Sequence, residues 1–532
     1  MYFKGPSRVG WTLKLWPCLR NSIMIQKRNL SKSKYTSFRQ CPKILWMRTY
    51  KPEAEVIDPS LQARFESGNE VGDLAMGLFG AYEEVTSYNA AGKLDLSTML
   101  CKTEEYLSRG VENICEASFS WEGNYCAVDI LHKKDDGYAI YEVKSSTNSL
   151  SSPTKQEDLR HYAWDIAYQK YVLTQCGVKV TGVYLVQIDS DYVRGEKLNI
   201  HGLFMMTDMT DLVAEEYPNV PINIERARAI LENDQEPSKS ISMSCRDPYQ
   251  CSFWQYCSRH LPSPSVFDLY RMPFKKALEH YNDSIISFED VQYCKLSDKQ
   301  LMQVAGYLTG KGHINKKGIR KFLEQNIRYP LYFLDFETMQ DVIPQYEGTK
   351  PYQQITFQYS LHWIEAPGGE LKHTAFLGES GTDPRRALAE QLCKDIPLNV
   401  CTTAYNKAFE CARIKELAEA YPDLSYHLLN IRDNIVDFLD PFRAGYYYLP
   451  AMGGSFSIKK VLPALFPNDP QLDYNNLTGS VHNGGDAMTI FPKIKDMPLE
   501  KQKEARQALL DYCHLDTLAM VRIWEKLDEV SR

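Results

Sequence analysis

The chain has 532 residues, of which 44% are hydrophobic and 24% charged, and its formal net charge is −7. This length and composition predict a folded globular protein with three or four domain-sized units. The slight acidity excludes binding to nucleic acid through bulk charge, so such binding would require a local basic groove. No run is long and apolar enough to span a bilayer, so we expect no membrane association and a cytoplasmic location.

The first 110 residues are predicted to be a basic leader followed by helices. Lys and Arg are scattered through residues 1–30, and the first acidic residue of the chain is Glu53. We expect this leader to have no folded role, with translation starting at Met24; a transit peptide is the alternative. Apolar residues recur at helical spacing over 60–79, and Gly68 and Gly72 within that run predict a close approach of another element.

The next 80 or so residues predict a small sheet and one long helix. The pattern indicates strands over 117–121, 125–131, 137–144 and 180–188, and a helix over 159–175. Asp129 would lie on the second strand, and Glu142 and Lys144 would share a face of the third. The alternative is a surface hairpin with an ordinary Glu–Lys pair.

The order of Asp, Glu-x-Lys and a helix with Gln-x-Tyr resembles the RecB-like branch of the PD-(D/E)XK nucleases. The resemblance implies that Asp129 and Glu142 hold a divalent ion and that Lys144 lies near the attacking water or the charge that develops on the phosphate. It also implies that Gln169 belongs to this site. That branch often has a His in its first helix, where this chain has Glu70, and whether Glu70 takes that place stays open.

Cys245, Cys251 and Cys257 follow one another with five residues between each pair. Their spacing among polar and aromatic residues indicates a ligand loop, for which Cys41 is the candidate fourth ligand. One early and three late cysteines resemble the iron–sulfur staple of AddB-type and CRISPR-adaptation-type RecB-like exonucleases, which implies a structural 4Fe–4S cluster. Structural Zn²⁺ is the second candidate, and unligated core cysteines are the third.

Residues 331–339 predict a buried strand that carries two acids, Asp335 and Glu337. On a strand these side chains point to the same face. Two carboxylates in an apolar strand are costly to bury unless a divalent cation compensates them, so a two-metal site is indicated. The alternative is a half-exposed strand face on which both acids meet water. Farther along, Tyr512 and Asp516 share a face of the last predicted helix.

Three motifs in this order, Asp-x-Glu, Asn-x-x-Phe-Glu and Tyr-x-x-x-Asp, resemble the DnaQ-like DEDD exonucleases, which have an RNase H fold. The resemblance covers most of residues 329–530. It implies two Mg²⁺ or Mn²⁺ ions, with Tyr512 orienting the attacking water. The implied metal ligands are Asp335, Glu337, Glu410 and Asp516. The family usually has Asp where this chain has Glu410, whose longer side chain puts the metal geometry in question.

Together these patterns predict an α/β protein in four segments. They are the leader 1–30, a RecB-like, restriction-endonuclease-like domain with the cysteine staple at 31–261, a mostly helical linker at 262–328, and a DnaQ-like, RNase H-like domain at 329–532. The combination resembles a bacterial family of unassigned function. We expect a metal-dependent nuclease that binds DNA rather than RNA and cleaves single strands or free ends in repair, recombination or defence. The alternatives are a nucleic-acid-binding module with degenerate sites and an exonuclease that processes RNA.

Overall fold

The computed structural model describes residues 29–57 and 59–532, so the predicted leader lies outside the described residues except for its last two positions. The α/β class is confirmed, with 49% of the residues in helices and 19% in strands. The chain divides into two compact units. The first runs to Glu55 and continues over Glu70–Gln187 and Ile200–Lys239. The second consists of Val56–Asn69, Ile188–Asn199 and Ser240–Arg532.

The strands and α-helices are numbered in chain order. The strands are β1 Leu30–Ser31, β2 Glu83–Glu84, β3 Asn113–Trp121, β4 Asn124–Lys134, β5 Gly137–Asn148, β6 Val180–Asp189, β7 Phe204–Asp208, β8 His313–Ile314, β9 Leu331–Gln340, β10 Gln354–Ile364, β11 Leu371–Leu377, β12 Cys401–Ala404, β13 Ile435–Asp437 and β14 Tyr447–Tyr448. The helices are α1 Lys32–Gln40, α2 Pro42–Tyr50, α3 Pro59–Ala75, α4 Leu96–Arg109, α5 Gln156–Gln175, α6 Ile200–Leu203, α7 Thr210–Glu216, α8 Val220–Glu232, α9 Trp254–Ser258, α10 Phe274–Asn282, α11 Phe288–Val291, α12 Asp298–Thr309, α13 Lys316–Asn326, α14 Arg385–Asp395, α15 Ala408–Ala420, α16 Ser425–Asp433, α17 Asp440–Arg443, α18 Ile458–Leu465, α19 Gly484–Ile490 and α20 Leu499–Ser531.

The sheet of the first unit is built around the antiparallel strands β3, β4 and β5. Its strand order is β2-β3-β4-β5-β6-β7. The short strand β1 pairs in parallel with the beginning of β4, at Asn124 and Tyr125. Helix α1 begins directly after β1 and is capped by Ser31, whose Oγ accepts a hydrogen bond from the backbone N–H of Lys34. This pairing brings the first turn of α1 to the middle of the sheet.

The sheet of the second unit has β9 at its centre, in the order β11-β10-β9-β12-β13. β9 is antiparallel to β10 and parallel to β12, and β12 is parallel to β13. The side chains of β9 alternate between two cores: Leu331 and Phe333 pack in the same core as part of α20, whereas Tyr332 and Leu334 pack with α14 and α15. The sheet is therefore covered by helices on both faces.

Two regions of the chain differ from what the sequence predicts. The predicted close approach at Gly68 and Gly72 is wrong, because a Cβ at either position would have no described atom within 4 Å. Residues 262–328 form α10 to α13 and the short strand β8, and they lie within the second unit. β8 pairs there with β14 in a two-stranded ribbon. No helix among the described residues combines the length and the apolar character needed to cross a membrane.

Candidate metal centres

Acidic side chains from three elements meet in one cavity of the second unit. Asp335 and Glu337 lie on β9, Glu410 lies in the first turn of α15 just beyond β12, and Asp516 lies on α20. All four line a cavity of about 380 Å³, together with Tyr512. The two-residue period of β9 turns Asp335 and Glu337 to the same side of the sheet. We call this group of four acids the carboxylate centre.

The carboxylate centre is an environment that disfavours uncompensated negative charge. Burial, followed by the charges of Asp516, Glu337 and Glu410, raises the pKa of Asp335 well above its ordinary value. Burial likewise raises the pKa of Glu410 to about 8 and that of Asp516 to about 6. Among the described residues, the buried Oε2 atom of Glu410 has no hydrogen-bond partner. Buried carboxylate oxygens, one of them without a hydrogen-bond partner, fit a hard divalent cation such as Mg²⁺ or Mn²⁺.

The turn between β12 and α15 positions Glu410. Asn406 adopts a left-handed backbone conformation with φ 72°, which Asn tolerates better than most residues. Its backbone N–H donates to Oδ1 of Asp437 on β13 at 2.8 Å, and the same oxygen accepts from the N–H of Leu439 at 2.9 Å. The buried Asp437 thus fixes the point at which α15 begins, and with it the direction of Glu410.

Two tyrosines and a cysteine adjoin the carboxylate centre. The Tyr474 hydroxyl donates to Oδ1 of Asp516 at 2.5 Å, and hydrogen bonds from Tyr474 and Tyr512 offset part of the rise that burial causes in the pKa of Asp516. Burial and the nearby carboxylates raise the pKa of Tyr512, so this phenol stays protonated. Cys513 lies with its Sγ 3.9 Å from Oδ2 of Asp335, and the ligand atoms of Asp335, Glu337 and Cys513 all lie within 4.8 Å of one another.

The predicted polar residues of the first unit also meet around one carboxylate, Glu142 on β5. Lys144, two residues later, brings its Nζ to 2.5 Å from Oε1 of Glu142. Gln169 on α5 donates through Nε2 to Oε2 of Glu142 at 2.6 Å. Asp129 on β4 accepts a hydrogen bond at Oδ2 from the backbone N–H of Val143 at 2.7 Å. The structure therefore brings together all four side chains that the sequence assigns to this site.

A second lysine, Lys32 from the first turn of α1, lies in the middle of this group. Its Nζ is 3.0 Å from Oε1 and 3.1 Å from Oε2 of Glu142, and it lies 4.0 Å from Oδ1 of Asp129 and 3.8 Å from Oδ1 of Asp165. Lys144 also binds Asp165, with its Nζ 3.0 Å from Oδ2. Two ammonium groups therefore share three carboxylates.

The pKa values reflect this compensation. Burial opposes ionisation of Glu142, but Lys144 and Lys32 outweigh it and hold the pKa of Glu142 well below its ordinary value. Burial and Glu142 raise the pKa of Asp129 to about 6. Burial disfavours the charged form of Lys32, yet the surrounding carboxylates raise its pKa. A divalent ion that binds Glu142 here has to displace the ammonium group of Lys32.

The four cysteines of the predicted staple are divided between the two units. Cys41 is buried in the first unit, at the junction of α1 and α2, and the other three lie in the second unit. There the backbone N–H of Cys251 donates to the carbonyl oxygen of Cys245 at 3.0 Å, and Cys257 lies on α9. Ligation of an iron–sulfur cluster or of Zn²⁺ by these cysteines stays a prediction.

Residues 332–457 match a family model. It is described as a domain of unknown function (DUF2779), and the matched segment begins on β9. The chain is 28% identical over 216 residues to the uncharacterized protein UU173 of Ureaplasma parvum, a match that covers 36% of this chain and only 30% of that protein. It is 21% identical over 456 residues to an uncharacterized MG366 homolog of Mycoplasma pneumoniae, covering 75% of this chain and 68% of that protein. No solved structure matches the chain significantly. These matches agree with a family of unassigned function.

Several residues of these centres escaped the sequence analysis. Asp165 lies four residues before Gln169 on α5, so helical spacing could have found it. Cys513 directly follows Tyr512 in the last motif. Lys32 carries no local signal, because its place depends on the two-residue pairing of β1 with β4.

Proposed function

We propose that the protein is a metal-dependent nuclease whose catalytic centre is the carboxylate centre of the second unit. The observation that carries this proposal is the convergence of four largely buried acids on one cavity, with raised pKa values and an oxygen of Glu410 that lacks a partner. A buried cluster of this kind is expected where divalent ions supply the balancing charge. The strand order of the sheet supports an RNase H-like assignment for this unit.

The four acids would hold Mg²⁺ or Mn²⁺. Bound ions of this type polarise a phosphodiester and lower the pKa of a bound water. Tyr512 keeps its proton, so it acts as a hydrogen-bond donor that orients the attacking water and does not act as the general base. The exposed Lys459 lines the same cavity, where its charge offsets part of the rise that burial causes in the pKa values of Glu337 and Asp516, and it would contact a substrate phosphate.

We propose DNA with a free single-stranded end as the substrate. A cavity of about 380 Å³ accommodates about one nucleotide and excludes a duplex. The terminal nucleotide would therefore enter the cavity while the rest of the strand remains outside it. This arrangement favours stepwise removal of nucleotides over cleavage within a duplex.

A second candidate function, binding of nucleic acid without cleavage, is favoured for the first unit. The specific observation is Lys32, whose Nζ lies close to both oxygens of Glu142, where a metal ion would bind. Because two lysines partly neutralise its three carboxylates, this site has less need of a divalent cation. The first unit would then bind a nucleic-acid strand without cleaving it.

The proposal is tested by incubating end-labelled single-stranded DNA and the matched RNA with the full chain over a range of Mg²⁺ and Mn²⁺ concentrations. We expect a metal-dependent ladder with DNA that disappears in Asp335→Asn and persists in Asp433→Asn, an exposed acid outside the cavity. Cleavage of RNA alone would favour the RNA-processing alternative. Binding without cleavage by the wild-type chain would overturn the assignment of a nuclease.

A further inference from the structure

Three histidines of the second unit form a compact group outside the carboxylate centre. His362 on β10 and His373 on β11 are directly opposed in the antiparallel register of the two strands. His514 on α20 completes the group, and the ring centroids lie 4.4 Å apart for His362 and His373, 4.8 Å for His362 and His514, and 4.4 Å for His373 and His514. Two neighbouring strands and a helix that is distant in sequence thus bring three imidazoles together.

Hydroxyl groups hold two of these rings in place. Nδ1 of His362 lies 2.8 Å from Oγ1 of Thr517, and Nε2 of His373 lies 2.9 Å from Oγ of Ser360. The two hydroxyls are hydrogen-bonded to each other at 2.7 Å. Partners of this kind fix the orientation and the tautomer of histidines that ligate metals, and they leave one nitrogen of each ring for the ion.

Burial and the neighbouring imidazoles lower the pKa of His362 to about 3 and that of His373 to about 4. The neutral imidazole that this direction favours is the form that ligates a metal.

We propose that His362, His373 and His514 form a binding site for a transition-metal ion, most suitably Zn²⁺, with a fourth position open to water. One ligand atom from each ring lies within 4.8 Å of the others. Donors around tetrahedral Zn²⁺ with bonds of about 2.0 to 2.1 Å are separated by about 3.4 Å, so small side-chain rotations close the site. Imidazole ligands select Zn²⁺, Cu²⁺ or Ni²⁺ over Mg²⁺ and Mn²⁺, which distinguishes this site from the carboxylate centre.

The location of the site gives it a structural consequence. His514 lies between Tyr512 and Asp516 on α20, and Ser360 is the register partner of Asp335 on the neighbouring strand. An ion held by the three histidines would fasten the hairpin β10–β11 to the helix that carries one side of the carboxylate centre. The inference concerns metal binding alone, and it stands whether or not the second unit cleaves nucleic acid.

The test compares the Zn²⁺ content of the full chain and its variants after removal of metals and equilibration with Zn²⁺ in excess Mg²⁺. His373→Ala removes the most exposed of the three ligands and leaves the buried His362 intact, so the fold should persist; His313→Ala, at an exposed histidine of β8, is the matched control. We expect the wild-type chain and the control to bind one more equivalent of Zn²⁺ than His373→Ala. The cysteines and carboxylates are unchanged in all three proteins, so any metal they hold cancels in the comparison.

Thermal unfolding supplies a second readout. A Zn²⁺ concentration about a hundredfold above the dissociation constant shifts the unfolding equilibrium about a hundredfold towards the native state, and this shift should be absent from His373→Ala. If His373→Ala fails to fold, His373→Gln takes its place. Equal Zn²⁺ content and equal stabilisation in the wild-type chain and the folded variant would overturn the proposal.

Discussion

Replacement of Glu410 by Gln tests whether the carboxylate centre carries uncompensated charge. Glu410 is 2% exposed, and burial followed by Asp437 raises its pKa from 4.5 to about 8. The folded chain binds the proton of Glu410 more tightly than the unfolded chain does. This difference makes its full contribution to the free energy of unfolding below about pH 4.5, and the contribution is lost as the pH rises through about 8. Each pKa unit corresponds to about 1.4 kcal/mol, so ionised Glu410 destabilises the metal-free fold by on the order of 5 kcal/mol at pH 9.

Thermal unfolding in EDTA at pH 5 and pH 9 measures this effect. Since 1 kcal/mol corresponds to roughly 2 °C or more for a unit of this size, Glu410→Gln should unfold roughly 10 °C above wild type at pH 9 and close to it at pH 5. Added Mg²⁺ should stabilise the wild-type chain more than the variant. Glu419→Gln, at an exposed position of the same helix, is the control. Equal unfolding temperatures for Glu410→Gln and wild type at pH 9 in EDTA would refute the reasoning.

Three further predictions concern the charges around the two centres. Lys32→Met should give the first unit a measurable affinity for Mn²⁺ in calorimetry. The control Lys34→Met leaves the Lys32 ammonium group beside Glu142 and should not. If Lys32→Met gains no Mn²⁺ affinity, Lys32 does not take the place of a metal ion at Glu142. Tyr474→Phe removes a hydrogen bond that stabilises charged Asp516, and because such a bond contributes about 1.5–3 kcal/mol, Mn²⁺ affinity at the carboxylate centre should fall roughly tenfold. An unchanged or higher affinity would contradict this prediction. Lys459→Ala should weaken binding of single-stranded DNA and reduce the slope of its salt dependence by about one. The control Lys460→Ala should leave the affinity and the slope unchanged. Equal effects of the two substitutions would contradict a phosphate contact at Lys459.

Part of each centre could be predicted from local geometry and from the resemblances that local motifs carry, although Asp165 was missed. The alternation of β9 places Asp335 and Glu337 on one face, and the spacing of four residues on α20 does the same for Tyr512 and Asp516. These patterns need no knowledge of how distant segments pack. The mixed α/β class follows from the same periodicities.

The charge balance of the centres could not be predicted, because it depends on contacts between distant segments. Lys32 lies 110 residues before Glu142 in the chain, and Tyr474 lies 42 residues before Asp516. No periodicity connects such pairs. The difference between a carboxylate centre in which burial and mutual repulsion raise the pKa values of the acids and a first-unit site in which two lysines bind Glu142 therefore emerges only from the three-dimensional structure.

The central claim is that divalent ions bind at the carboxylate centre, and anomalous diffraction from a crystal of the full chain soaked in Mn²⁺ tests it most directly. We predict anomalous peaks within bonding distance of Asp335, Glu337 and Asp516, and none at Glu142, where the Lys32 ammonium group lies. A peak at Glu142 together with no peak at the carboxylate centre would contradict the account and would move the metal site to the first unit.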